Sequence, residues 1–374
     1  MTDLFEADTA TTTTLDLRRL QRNQRRAKRR KWTLVVSAVA IVIFALGGSV
    51  AWNFVKTFEG SATTIADYEG SGQGQLQVIV NSGDTGSDIA TTLMDSGVIA
   101  SRQAFLTEWN SNPDSQSIVP GYYLLHREMK AEFALQSLLD PNNRELRTVT
   151  VPEGASLATF TQKISSITGA TEDEVKAAMD DITANGLPAE ANGNLEGWLF
   201  PSTYEFNPGV TPTEVLTRMI ATTTQKLDAL GVAAADRERI LIVASLIEKE
   251  AKLDVDRAQI ASVIYNRLAI DMPLGLDSTV KFIAPSEGAF TSDEDRASDS
   301  PYNTYKVVGL PPGPIASPGD ASLEAAVNPA STDYVYFATV NLDTGETKYA
   351  TTYTDHQKNV KELQAWWQAH KANS

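Results

Sequence analysis

The sequence around residues 244–268 reads ASLIEKEAKLDVDRAQIASVIYNRL, an apolar helical run that ends in Glu248-Lys249-Glu250. Carboxyl groups on such a run do one of two things. They close a helix as a solvated charge cluster, or one of them is pressed into an apolar wall and keeps its proton. Placing residues 237–252 on a helix at about 100° per residue sets Ile240, Val243, Leu246, Ile247 and Ala251 on one arc. Glu250 falls within that arc. Glu248, two residues earlier, points roughly 160° away and stands four residues before Lys252, a spacing that suits a solvated ion pair. Glu250 instead has Asp254 four residues on and no cation at helical spacing. A carboxyl so placed is expected to titrate high, through desolvation first and the neighbouring like charge second, as a general acid for work near neutral pH must. Periodicity alone leaves open whether the arc ends before Glu250.

The elements that must position this residue follow from the rest of the chain. The 374 residues are 42% hydrophobic, enough for two or three packed units. Formal charge is −15, yet Arg18, Arg19, Arg22, Arg25, Arg26, Lys28, Arg29, Arg30 and Lys31 are clustered. They lead into residues 32–55, WTLVVSAVAIVIFALGGSVAWNFV, which carry no charged side chain. That length spans a hydrocarbon layer of about 30 Å. The basic block is therefore expected to be a cytoplasmic tail (1–31) preceding a single transmembrane helix (32–55), with the remainder extracytoplasmic in the cell membrane's outer space. A nucleic-acid patch is the alternative for the block. A cleaved signal is the alternative for the span, with Ser49-Val50-Ala51 as its small-residue site. There is no cysteine, which excludes disulfides, thiol catalysis and thiolate metal sites. Three scattered histidines, His126, His356 and His370, suggest no metal cluster, and neither metal nor cofactor is expected.

Residues 56–74 are small and glycine-rich, as a flexible linker would be. Next, LQVIVNSGDTGSDIATTLMDSGVI reads as strand, glycine turn and helix, and RTVTVPEGASLATFTQKISSITGA repeats the grammar. Val80 matches Val151, Gly83 matches Gly154, and Thr85 and Ser156 stand where they would cap the helix. The first copy, continued through PGYYLL, resembles a LysM module, a small βααβ fold that binds N-acetylglucosamine chains in many cell-wall proteins. Packing against a neighbour is its other reading. A helix-rich section from Pro212 to about Leu268 is followed by loops from Pro273, a β-like pair (YVYFATVN, ETKYATTY) and a short terminal helix whose Trp366 and Trp367 are expected in a core. The expected fold class is α+β: a LysM-like module over 75–145, then a mixed helical and β catalytic domain over 146–374, opening with the second βα unit and with its core from about 194.

The blocks ASLIEKEA, VIYNRL, MPLGLDSTV, SPYNTYKVVGLPPGPIASPGDASLEAAVNPASTDYVYF and LEGWLFPSTYEF resemble, in order, those of the endolytic murein transglycosylases, the YceG-like or MltG family. The resemblance runs over most of residues 75–360. It implies a single-pass membrane enzyme that cuts peptidoglycan glycan strands internally at the MurNAc-GlcNAc bond, leaving 1,6-anhydro-MurNAc ends, and trims or terminates strands near peptidoglycan synthases. The family's catalytic glutamate falls on Glu250. Ala251 stands where some relatives carry a hydroxyl residue. The resemblance also makes Asn266, Asp277, Thr279, Asn303 and Tyr305 substrate-cleft candidates. A helix cap is the alternative for Asn266, turn formation for Asp277 and Thr279, and packing for Tyr302 and Tyr305. Glu196, in EGWLFPSTYEF, orients substrate or binds loop amides. Two rivals stand: a hydrolytic muramidase with Asp277 or Glu196 as second carboxylate, and a non-catalytic wall-binding scaffold.

Overall fold

A computed structural model describes residues 65–284 and 291–370. The expected span at 32–55 lies outside the described residues, and among those no helix is long and apolar enough to cross a membrane. The architecture is mixed α and β, as its two alternating grammars require.

Strand β1 (Gln73–Val80) buries Val78 and Val80 on one face and leaves Ile79 exposed, the period-2 pattern of a half-buried strand. Helix α1 (Gly86–Asp95) follows. Its N-cap is Thr85, whose hydroxyl accepts from the Asp88 amide while the Asp88 carboxylate accepts from the Thr85 amide. Helix α2 (Arg102–Ser111) leads to β2 (Gly121–Arg127), which pairs antiparallel with β1, Val78 opposite Tyr123. Leu93, Phe105, Tyr123 and Leu125 close a small core with α3 (Ala131–Leu139).

The same β-α-α-β order returns in β3 (Arg147–Thr150), α4 (Leu157–Thr168), α5 (Glu172–Asp180) and β4 (Thr203–Phe206), with β3 antiparallel to β4. The repeat is thus longer than the two βα units legible in sequence. Ser156 occupies the second N-cap, but its hydroxyl faces Thr159 Oγ1 at 3.4 Å and makes no capping bond to the backbone. This second unit shares its core with three long helices, α6 (Pro212–Ala229), α7 (Ala234–Glu250) and α8 (Asp254–Ala269).

Helix α7 is the centre of that core. Every residue from Ile240 to Ile247 is buried, including Leu241, Ile242, Ala244 and Ser245, which lie off the arc used above. A helix apolar all round is a buried helix, so both of its terminal glutamates are drawn towards protein. Beyond α8 come α9 (Asp277–Ile283), α10 (Asp320–Val327), the hairpin β5 (Tyr336–Asn341) with β6 (Glu346–Ala350), and α11 (Tyr353–His370). Helix α11 is 18 residues long, not short, and buries none of them. Trp366 and Trp367 are half-buried instead of core, and Trp366 stacks on His370 at 4.3 Å between centroids. Packing only along a two-stranded hairpin gives such a helix no second layer to bury against.

The segment PPGPIASP runs against the core. The Gly154 amide donates to Ser317 O at 2.9 Å, the Ser317 amide to Ala155 O at 3.0 Å, and the Ile315 amide to Ser245 Oγ at 3.1 Å. Gly197, at φ +81°, makes the close approach possible: a Cβ there would stand 2.5 Å from Pro314 Cβ.

Candidate active site

Glu250 is the last residue of α7. The chain turns extended at Ala251 (ψ 122°) before α8 begins at Asp254, so the carboxyl emerges at a helix C-terminus. It opens into a groove of about 840 Å³, in the size range of ligand sites. One wall is the start of α4 at Gly154 and Ser156; another is the stretch from Gly275 to Ser278, with Tyr305. Phe337 and Thr339 of β5, with His356 of α11, face them.

Burial pushes the Glu250 carboxyl above the ordinary carboxylate range, and anionic Asp277 pushes it further; Ser278 and Lys281 work in the opposite direction. The negative end of the α7 dipole adds to the same upward push. The residue is only half-buried, so protein crowds the carboxyl while one side stays open to the groove. The Ser278 hydroxyl beside it is buried and has no hydrogen-bond partner of normal geometry.

Asp277 is anchored. Its Oδ1 accepts from Thr291 Oγ1 and from the Tyr305 hydroxyl, both at 2.6 Å, and Arg296 Nε lies at 3.8 Å. Burial and the bond to Asp277 hold the Tyr305 phenol proton well beyond its usual range, while the Arg296 guanidinium lies 5.1 Å from the ring centroid.

Glu248 departs from expectation. Its side chain is only 8% exposed and pairs with Arg257 at 3.1 Å. The same oxygen accepts from the Gly319 amide at 3.1 Å and Ser322 Oγ at 2.8 Å. Lys252 turns away and donates to the Leu342 and Asp343 carbonyls. Burial of α7 on all sides from Ile240 to Ile247 is the reason: at Glu248 the helix meets α8 and α10 in place of water. The two glutamates keep different jobs, but Glu248 is a buried strut that fixes the helix end on which Glu250 sits.

The structure brings Glu250, Asp277 and Tyr305 into one groove and leaves four candidates out. Thr279 is fully buried, its hydroxyl bonded to Leu276 O and Thr304 Oγ1. Asn303 is fully buried and donates to Arg296 O and Ser298 O, which shapes the loop that presents Tyr305. Asn266 is neither cap nor groove residue; its amide donates to Thr332 O at 2.8 Å and Tyr334 O at 2.9 Å, strapping α8 to the entry of β5. Glu196 is 6% exposed and does not line the groove. Burial raises its carboxyl to about 7 against the pull of the Leu157 amide and Lys249, and its Oε1 has no partner. Tyr302 packs on Phe282 at 5.0 Å. Of the remaining lining, Lys249 and Ser278 adjoin recognised residues and were within reach of sequence reasoning. His356 was not, since only tertiary packing of α11 carries it to the groove; its ring stacks on Tyr336, and burial and Arg267 keep it neutral. Among the described residues no three His, Asp or Glu side chains gather as metal ligands would.

A second concavity, of about 450 Å³, lies on the first β-α-α-β unit between the 81–86 turn and residues 115–120. Asn81, Asp84, Trp109 and Gln116 line it.

Residues 78–362 match the YceG-like family. An endolytic murein transglycosylase of Bacillus subtilis is 35% identical over 302 residues, covering 76% of this chain and 83% of that protein. One of Streptococcus pneumoniae is 29% identical over 360 residues, covering 87% of this chain, which spans 64% of that longer protein. The crystal structure of a YceG-like protein from Listeria monocytogenes superposes with a TM-score of 0.50 at 31% identity, covering 76% of this chain and 98% of that one.

Proposed function

Because this chain belongs to the YceG-like family, we propose that it is a peptidoglycan lytic transglycosylase that cleaves glycan strands internally. The observation that carries the reading is Glu250: a carboxyl raised by burial and by Asp277, open to a groove, at a helix end braced from behind by Glu248 and Arg257. Such a group is protonated when substrate arrives.

One carboxyl suffices for the chemistry. Glu250 donates its proton to the oxygen bridging N-acetylmuramic acid to N-acetylglucosamine, and the C1–O bond breaks with its electron pair leaving on that oxygen. The Glu250 carboxylate then takes the proton of the muramic acid C6 hydroxyl as O6 bonds to C1, giving the 1,6-anhydro end and restoring the acid. An internal hydroxyl has a high effective molarity, so no activated water is needed. Tyr305 and anionic Asp277 border the reacting sugar; Asp277 also keeps Glu250 protonated until the bond is engaged.

The rest of the reading follows the same substrate. Residues 32–55 anchor the chain once across the cell membrane, with 1–31 cytoplasmic and the groove outside, facing nascent strands and their synthases. The first β-α-α-β unit is a LysM-like glycan-holding module, supported by the Trp109 ring and amide groups of its concavity. Asp277 in the groove favours one rival, hydrolysis with Asp277 as second carboxylate. Its Oδ1 already accepts from Thr291 Oγ1 and the Tyr305 hydroxyl, so that oxygen is engaged by the protein and not free to attack C1.

The test is mass spectrometry of soluble products formed by the full chain in detergent on peptidoglycan, beside Glu250→Gln. Anhydro-ended muropeptides absent from the variant are expected. Reducing ends would transfer the assignment to the muramidase, and cutting undiminished in Glu250→Gln would sink both enzymatic readings in favour of a scaffold.

A further inference from the structure

The groove is cationic in an acidic protein. The chain carries −15 overall, yet Lys249, Lys252, Arg267 and Lys281 line the groove against Glu250 and Asp277. Of those two acids, Glu250 is pushed above the ordinary carboxylate range by burial, and Asp277 is already engaged by Arg296, Tyr305 and Thr291. Three of these cations, Lys249, Lys252 and Arg267, hydrogen-bond to neutral carbonyls. Lys249 Nζ reaches Gly154 O at 3.4 Å, and Lys252 donates to the carbonyls of Leu342 and Asp343. Arg267 donates to Val335 O and Leu274 O, both at 2.6 Å. Among the described residues, none of these three has a carboxylate within ion-pair distance. A carbonyl orders a cation without cancelling its charge, so the groove keeps a positive field.

A strand whose carboxyl groups are all capped as amides carries no formal charge and gains little from such a field. The N-acetylmuramic acid residue whose C1–O bond is cut also bears, through its lactyl ether, a peptide that ends in carboxylates. We propose that Lys249 and Lys252 are specificity-determining residues that bind stem-peptide carboxylates, so that the groove takes peptide-bearing, anionic strands in preference to those whose carboxyl groups are capped as amides. The inference rests on the function proposed above and names its substrate class. Lys249 immediately precedes Glu250 and Lys252 lies two residues beyond it, both exposed and both lining the groove into which Glu250 opens. Arg267 has a different task, since its carbonyl bonds tie α8 to β5 and the 274 loop.

Binding keeps this inference separable from the chemistry. The full chain carrying Glu250→Gln would be titrated with three synthetic glycans: peptide-bearing with free carboxylates, the same with amidated carboxylates, and peptide-free with each lactyl carboxyl capped as an amide. The free-carboxylate ligand is expected to bind about fivefold to tenfold more tightly than either other, as two partly exposed ion pairs allow. The margin should vanish near 1 M salt, where the Debye length is about 3 Å. Adding Lys249→Gln and Lys252→Gln should remove the preference, and Lys249→Arg with Lys252→Arg should restore it, which separates lost charge from lost fold. Equal affinities, no binding of any ligand, or a preference that survives the double glutamine change would each overturn the proposal. Preferential binding by a chain that forms no anhydro ends would leave it standing and remove the transglycosylase reading alone.

Discussion

A carboxyl that must give a proton and then take one back works best when its environment, not its chemistry, sets its pKa. At Glu250 the Asp277 charge is one adjustable part of that environment. The proposed reaction requires protonated Glu250, so activity should fall as pH rises through the raised pKa. Removing the like charge in Asp277→Asn lowers that pKa, and the alkaline limb of the kcat profile should move to lower pH; an unmoved limb would detach Asp277 from the acid. Glu250→Gln itself should lower anhydro-product formation at least about 10²-fold. Glu196 allows a different test, of stability. Its carboxyl sits near 7 in the fold against 4.5 as an ordinary glutamate, so the native state binds the extra proton between those values. Stability from this group is full below about 4.5 and is lost as pH rises to about 7. Glu196→Gln should therefore flatten the pH dependence across that window and stabilise the protein at pH 8 by on the order of 2 kcal/mol, read from urea midpoints.

Helix α7 decides what was legible in the sequence. Angular bookkeeping on one arc set Glu250 among apolar neighbours, which needs only the helix's own period, and the family resemblance singled it out as the acid. It misassigned Glu248, because whether the opposite face meets water depends on α8 and α10, which contribute Arg257 and Ser322 from elsewhere in the chain. The same limit applies to Thr279 and Asn303: hydroxyl and amide groups in a distinctive loop serve a ligand or the loop's own backbone, and burial alone tells which. Strand, glycine turn and helix were readable twice, yet the closing strand β4 was not, since its pairing with β3 spans two helices. The strut at the end of α7 carries its own prediction. Arg257→Met leaves the Glu248 carboxylate buried without its cation, which should cost about 3–5 kcal/mol in chemical unfolding. Adding Glu248→Gln should recover part of that loss, and full additivity of the two changes would show that the pair is not coupled.

A groove for peptidoglycan is useful only on the side of the membrane where peptidoglycan is made, so the proposed function expects residues 69–370 outside. The chain separates its charges accordingly: nine cations in residues 18–31 precede an uncharged 24-residue stretch, and the remainder is strongly acidic. By the positive-inside rule this predicts one orientation. The absence of cysteine suits an exported chain held by two apolar cores without disulfides, and it makes the orientation simple to read. Thr9→Cys and Asp95→Cys each introduce a single thiol, the latter on the exposed end of α1. In intact cells a membrane-impermeant maleimide should label Asp95→Cys alone, and Thr9→Cys should react only after the membrane is opened. Labelled protein should remain in the membrane fraction at full length. Asp95→Cys recovered as a shortened soluble species would instead assign residues 32–55 to a cleaved signal, and protection of both thiols in intact cells would place the groove where the proposed substrate is absent, removing the physiological basis of the enzymatic reading.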